Sequence, residues 1–313
     1  MLKRHDVTTT VQMTYSIVAL DQDTGELGVA VQTCGPAVGA VVPWVEPGVG
    51  AVATQSFTNV NLGPASLALL REGRPAPAVL QQVLARDPGR DARQVGLVDA
   101  AGRSAAHTGG MCVAEAGHAC TAGVSAQANM MERPDVPQSM LEAFRHTSGD
   151  LADRLMAALG AAEEAGGDIR GSGSAALLVA PGSTEAQPWS RRYDLRVDAS
   201  PEPVEELARL LRHGRAYDAL DTAMGAMAAG ELQFVVAGTT LAHRLAPEDA
   251  QLAYWNAMTL FASGRPEEAQ PLLDAALQAE PRLEEFGRRC AEAGHGGPLA
   301  DTLRVVARRR PAG

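Results

Sequence analysis

At 313 residues the chain has room for one large domain or two moderate ones, and 46% hydrophobic with 20% charged residues is the composition of a folded globular protein. A formal net charge of −10 argues against nucleic acid or an anionic membrane as the main partner, and the Arg308, Arg309, Arg310 run reads as a solvated tail. No apolar run reaches the ~20 residues that span a bilayer, and the first twelve residues, "MLKRHDVTTTVQ", lack the apolar stretch of a signal peptide, so a cytoplasmic location is expected.

Residues 1–12 read as a disordered or mis-annotated extension, with the first domain over 13–198. From Tyr15 to Leu20 nearly every position is apolar or small on both faces, which predicts a strand covered on both sides. "DQDTG" (21–25) carries turn chemistry, and "ELGVAVQT" returns the chain as a hairpin. Extended pieces follow in "AVGAVVPW" (37–44) and "GVGAVATQSF" (48–57). Leu67, Leu69 and Leu70, then Val79, Leu80, Val83 and Leu84, recur at helical spacing. A second hairpin joins Arg93–Asp99 to Arg103–His107, helices fill Gln138–Arg145 and Leu151–Ala165, and strands Ser174–Ala180 and Arg191–Asp198 close the domain. Paired strands with paired helices predict an α+β fold of four layers, helix, sheet, sheet, helix (αββα).

"ASPEP" (199–203) is a linker by composition, and from 204 to 313 the pattern is wholly helical. There a 34-residue offset aligns Gly230 with Gly264 and Pro247 with Pro281, at the places where a tetratricopeptide-like (TPR-like) repeat ends its helices. Two repeats are too few for a free-standing solenoid. This all-α segment is expected to dock on the first domain, on another subunit in a homo-oligomer, or on a protein partner.

Cys34, Cys112, Cys120 and Cys290 form no CxxC pair, and Cys112, His118 and Cys120 lack the usual metal spacing. Reduced cysteines, no metal and no cofactor are expected.

The stretches "MTYSIVALDQDTGELGVAVQT", "VGAVVPWVEPGVGAVATQ", "RQVGLVDAAGRSAAHTG", "VSAQANMM", "AGGDIRGSGSAALLVA" and "YDLRVD" resemble, in order, the successive motifs of the DUF1028 family over residues 13 to 200. The resemblance implies the fold of the N-terminal-nucleophile (Ntn) hydrolases, whose four layers match those drawn from pattern. In that group a Thr, Ser or Cys that begins the mature chain attacks an amide carbonyl, and its own α-amine, which titrates near pH ~8, takes the proton. Thr14 meets the requirement if the chain starts at Met13 and that methionine is removed; with residues upstream its nitrogen is an amide and no base.

Thr14 is thus the expected nucleophile at the mouth of a cleft, or simply a β-branched residue that begins a strand. Ser16 shares its face and orients it or satisfies the backbone. Thr33 at the end of the second strand faces the same cleft, while Thr54 (an alternative nucleophile) and Gln55 end another strand, as substrate contacts or backbone hydrogen-bonders. His107 is an acid–base or substrate group, or a structural hydrogen-bonder. Asn129 is an oxyanion contact or a turn former. Arg170 clamps a substrate carboxylate while Asp168 holds Arg170 or the α-amine, or the two form a structural ion pair. The function expected is hydrolysis of a small amide, lactam or short peptide. The alternatives are a silent sandwich that binds a ligand such as a cell-wall fragment, and a scaffold acting through the repeats.

Overall fold

The computed structural model describes residues 9–12 (backbone), 14–183, 185–227, 229–293, 299 and 302–303. Met13, the expected start, residues 1–8 and the 308–310 arginines lie outside the described residues. The chain divides into two compact units, Met1–Ala208 and Arg209–Gly313.

The first unit holds two antiparallel sheets. One has the order β1–β5–β6–β7, with β4 also on β5: β1 Thr9–Gln12, β4 Pro43–Glu46, β5 Gly50–Asn59, β6 Arg93–Asp99 and β7 Ser104–Thr108. The other has the order β11–β10–β3–β2–β9–β8: β2 Thr14–Leu20, β3 Leu27–Thr33, β8 Gly117–Thr121, β9 Val124–Ala128, β10 Ser174–Ala180 and β11 Tyr193–Val197. Helices α1 (Leu62–Arg71) and α2 (Ala76–Ala85) contact the first sheet, and α3 (Val136–His146) and α4 (Leu151–Glu164) contact the second. Strands of the two sheets touch face to face, β2 against β5 and β6, and β9 against β6.

Alternation explains how residues divide between these interfaces. Along β2, Val18 and Leu20 join Val29, Val31, Val45, Ala51, Ala53, Ala176 and Leu178 in an apolar cluster between the sheets. Val52, Val95 and Leu97 point the other way and pack with Leu67, Leu70, Val79 and Leu80 of α1 and α2. Asp150 caps α4 by accepting from the Asp153 backbone N–H at 3.0 Å, while the Asp153 side chain accepts from the Asp150 N–H, a reciprocal capping box.

Several expectations need correction. Thr9–Gln12, expected to lack structure, pair antiparallel with Ser56–Asn59. Residues 38–40 of the expected strand 37–44 turn as a 3-10 helix, and only Pro43–Glu46 is extended. Strands β8 and β9 are absent from the sequence reading. On β9 the inward positions are Ser125 and Gln127, so no apolar alternation marks it, and β8 is an edge strand with polar and small residues.

The second unit is helical among the described residues: α5 (Pro203–Met227) runs into it from the first, followed by α6 Leu232–Leu245, α7 Ala250–Ala262, α8 Pro266–Ala279 and α9 Arg282–Glu292. The unit boundary thus falls inside α5 rather than at the 199–203 linker. Gly230 and Gly264, 34 residues apart, both take φ 77° just after a helix, a left-handed torsion open to glycine at little cost. No helix among the described residues is long and apolar enough to cross a membrane.

Packing in this unit supplies a prediction. A Cβ at Gly287 would sit 1.9 Å from the Tyr254 hydroxyl oxygen, and Tyr254 is 2% exposed. Gly287→Ala is expected to destabilise the unit by about 1–3 kcal/mol. Hydrogen exchange should show faster opening of α7 and α9 than in wild type, with the protection of β2 and β3 unchanged.

Candidate active site

Between the sheets, past the end of the apolar cluster, lies a layer of polar side chains. Ser16, Gln55, Gln94, Ser125, Gln127 and Asn129 are each 0% exposed. They are there because alternation points them inward, one or two per strand: Ser16 on β2, Gln55 on β5, Gln94 on β6, Ser125 and Gln127 on β9. Gly96 makes room, since a Cβ there would stand 1.9 Å from Gln127 Oε1.

The direction of every hydrogen bond in this layer is fixed from one end. Gln94 Nε2 faces the carbonyl oxygens of Ala128 (2.8 Å) and Gly117 (3.1 Å), so it donates and its Oε1 must accept. Gln55 Nε2 (2.7 Å) and Asn129 Nδ2 (2.8 Å) therefore donate to Gln94 Oε1. Gln55 Oε1 then accepts from the Ser16 hydroxyl at 2.5 Å. Having given its proton, Ser16 accepts from Gln127 Nε2 at 2.6 Å, and Gln127 Oε1 accepts from Ser125 at 2.8 Å. Toward the edge, Thr108 Oγ1 stands 2.9 Å from Gln94 Nε2 and 2.9 Å from His118 Nδ1, which extends the contacts of the layer to β8.

The layer converges on Thr14. Its carbonyl accepts from Gln55 Nε2 at 2.9 Å, from Asn129 Nδ2 at 3.1 Å and from the Asn129 backbone N–H at 3.1 Å. Thr14 itself is 0% exposed, and its hydroxyl oxygen has no hydrogen-bond partner. Asn129 Oδ1 is likewise buried and unbonded. Ser56 and Met130, which follow Gln55 and Asn129, adopt φ of 69° and 59°. Left-handed torsions cost non-glycine residues roughly 1–2 kcal/mol each, and they fall here on the residues next to two of the groups that grip Thr14.

Around this strand end the register sets Thr14 beside Thr33, and Thr33 beside Ser174. Asp168 bridges to Met131, and its carboxylate takes Arg170 Nε (3.0 Å) and Nη2 (2.7 Å) in a fork while also accepting from the Arg170 backbone N–H. Burial and then the Asp168 charge push the thiol of the half-buried Cys34, next to Thr33, up, which favours its protonated form. On the other face of β2, Tyr15 donates to Glu163; burial, then Glu163, raise its hydroxyl well above the usual phenol range. Gln32, beside Tyr15, buries both amide atoms without a partner.

Of the residues singled out from the sequence, Thr14, Ser16, Gln55 and Asn129 meet in one hydrogen-bonded cluster, with Thr33, Asp168 and Arg170 at the same strand end. Thr14 and Thr33 are sealed in this chain rather than set at an open cleft. Asn129 has both amide hydrogens engaged, so what it offers is an acceptor, not an oxyanion donor. Thr54 lies elsewhere: Gln55 points between the sheets, so Thr54 points to the helix side and bonds the Asn59 carbonyl at 3.3 Å. His107 is also on the helix side, paired with Val95, and its Nε2–H donates to the Arg90 carbonyl at 2.9 Å. Gln94 and Gln127 are absent from the sequence reading; Gln94 had a signal, a glutamine next to the apolar run 95–98, whereas Gln127 sits in a strand with no apolar alternation. Among the described residues no group of three or more His, Cys, Asp or Glu is placed to hold a metal ion.

Two substitutions separate the parts of this cluster. Gln94→Ala leaves Gln55 Nε2 and Asn129 Nδ2 each short of one acceptor and removes a donor from two carbonyls, and should cost about 3 kcal/mol or more in denaturant unfolding. Thr14→Val removes a hydroxyl that bonds nothing and keeps the shape, so it should be neutral or stabilise by up to about 1 kcal/mol in the same assay. A pH effect follows at His118, held below the usual imidazole range by burial and then by His107. A depressed folded-state value means the contribution is complete above about pH 6.5 and is lost as pH falls through that lower value. Between pH 7 and 5 the wild-type melting temperature should fall more than that of His118→Gln.

A family model described as "Family of unknown function (DUF1028)" matches residues 14–207. Eight solved chains match as well. Among them is a crystal structure of protein SPO2555 from Silicibacter pomeroyi, described as a DUF1028 protein, at 33% identity and a TM-score of 0.58, over 64% of this chain and 88% of that one. No curated protein matches the chain. The match begins at Thr14, the residue on which the buried polar layer converges, and covers both sheets apart from β1, with their four helices: this chain belongs to the DUF1028 family.

Proposed function

We propose that the first unit is an N-terminal-nucleophile amidohydrolase in which Thr14 is the nucleophile, latent while residues precede it. The observation that carries the reading is the unbonded, buried Thr14 hydroxyl, together with the unbonded Oδ1 of Asn129, a residue that grips the Thr14 carbonyl, in a layer where the neighbouring polar groups are paired. Two unsatisfied buried polar atoms cost about 1–3 kcal/mol each, and positions kept at that cost point to a role outside stability. The stacking of α1 and α2, the two sheets, and α3 and α4 is read as the four-layer order of that hydrolase group. The C-terminal helices are read as TPR-like on the 34-residue recurrence of their glycine caps.

Removal of the residues before Thr14 does two things at once. It turns an amide nitrogen into an α-amine that is partly neutral near pH ~8, and it frees the β5 edge that Thr9–Gln12 now occupy. Thr14 Oγ1 then attacks the amide carbonyl carbon while its proton passes to the α-amine. Asn129 Oδ1, free to accept, holds that ammonium in place. Collapse of the tetrahedral oxyanion breaks the C–N bond as the ammonium protonates the leaving amine. Water drawn toward the same amine hydrolyses the Thr14 ester and restores the hydroxyl. The substrate class is a small amide, lactam or short peptide.

The test compares the full chain, a chain that begins at Thr14, and its Thr14→Ala variant (which then begins with alanine) on a panel of acyl-p-nitroanilides and lactams. Turnover by the Thr14-initiated chain, at least 100-fold above the other two with equal melting temperatures, is expected. Equal turnover in all three, or none, rejects the hydrolase reading and favours a silent ligand-binding sandwich.

A further inference from the structure

Away from Thr14, the lateral opening between β4 of one sheet and β10–β11 of the other holds a cavity of about 350 Å³. That volume lies at the small end of the range for small-molecule sites. Its walls combine two chemistries. Pro43, Trp44, Pro64, Leu67 and Pro188 make an apolar side, while Arg71, Arg191 and Arg196 face Glu46 and Asp194 across the polar side.

The charges there do not balance. Arg71 and Glu46 are joined in a fork, with Nε donating to Oε1 at 2.8 Å, and Arg196 Nε donates to Asp194 at 3.1 Å. Both carboxylates are thereby engaged, and Arg191 is left over, one positive charge in excess on a protein of net charge −10. Among the described residues Arg191 has no carboxylate within ion-pair distance. Its hydrogen bonds run through Nη1, to the carbonyls of Pro188 (3.1 Å) and Ser190 (2.8 Å), and among the described residues Nε and Nη2 have no partner. Burial lowers its pKa, with Asp194 and Glu46 opposing from a distance. A half-buried guanidinium that lines a cavity and has an unpaired edge is stabilised by a planar oxyanion that fills two donor positions at once.

We propose that this cavity binds a small organic monocarboxylate, its carboxylate forked on Arg191 and its apolar body against Trp44 and the surrounding prolines. One excess charge matches a monoanion, and the apolar wall has no role in holding inorganic phosphate. The site is independent of Thr14 chemistry.

Benzoate is the probe, titrated by calorimetry into the full chain, with benzamide as its neutral counterpart and inorganic phosphate as the bare anion. Saturable benzoate binding, at least tenfold tighter than benzamide or phosphate, is expected. Arg191→Gln should weaken it at least tenfold. So should Ala40→Phe, which crowds the cavity from an exposed position and leaves Arg191 intact, whereas Arg133→Gln, remote and paired with Asp135, should leave it unchanged. Thermal melts establish that each variant is folded. Absence of benzoate binding, equal binding of benzamide, tighter binding of phosphate, or indifference to both cavity variants overturns the proposal.

Discussion

The first unit depends on a hydrogen-bonded polar layer buried between two sheets. Elsewhere the facing strands meet through valine, leucine and alanine, which need no particular partner. In the polar layer each amide must find its complement, because an unpaired amide out of water costs several times what a pair contributes. The two carbonyls at Gln94 fix its orientation, and that choice propagates through Gln55, Ser16 and Gln127 to Ser125. A slip of either sheet against the other by one residue would part these donors from their acceptors. The layer thus sets the relative register of the sheets more sharply than the apolar cluster does.

The same layer fixes Thr14. Three donors hold its carbonyl, which locks the backbone of the first residue of β2, yet its hydroxyl is left without a partner. The contrast between a fully gripped main chain and an idle side chain distinguishes Thr14 from Ser16, whose hydroxyl both donates and accepts. Left-handed torsions at Ser56 and Met130 add local strain next to the gripping residues. Pre-organised backbone, strain and an unspent polar group in one place are what a reactive position requires.

Much of the fold could be read from the sequence wherever one chemistry matched one period. The hairpin of β2 and β3, the helices at Leu151–Glu164 and Leu62–Arg71, and the paired strands at Arg93–Asp99 follow from apolar spacing and turn residues. β9 carries no periodic signal because its buried face, Ser125 and Gln127, is polar, and the alternation that marks a strand is one of apolar with polar residues. The site divided in the same way. Gln55 stands out as a polar residue at the end of an apolar strand and Asn129 as an amide read as an oxyanion contact or turn former, and the structure brings both to Thr14. Thr54 differs from Gln55 by one position, and one position on a strand is the difference between the inter-sheet layer and the helix side. His107 was separated from the cluster by the same rule. The open edge of Arg191 had no signal at all in the sequence, since it arises from which neighbours its carboxylates already serve.

The most direct test of the account asks where an acylating agent reacts. A β-lactone offered to a chain that begins at Thr14, followed by mass mapping of its peptides, should place one acyl group per chain on Thr14, with none on the full chain. Acylation at Thr33, Ser174 or Cys34 instead, or no acylation under conditions that leave the fold intact, would contradict the claim that the idle hydroxyl held by the polar layer is the reactive group.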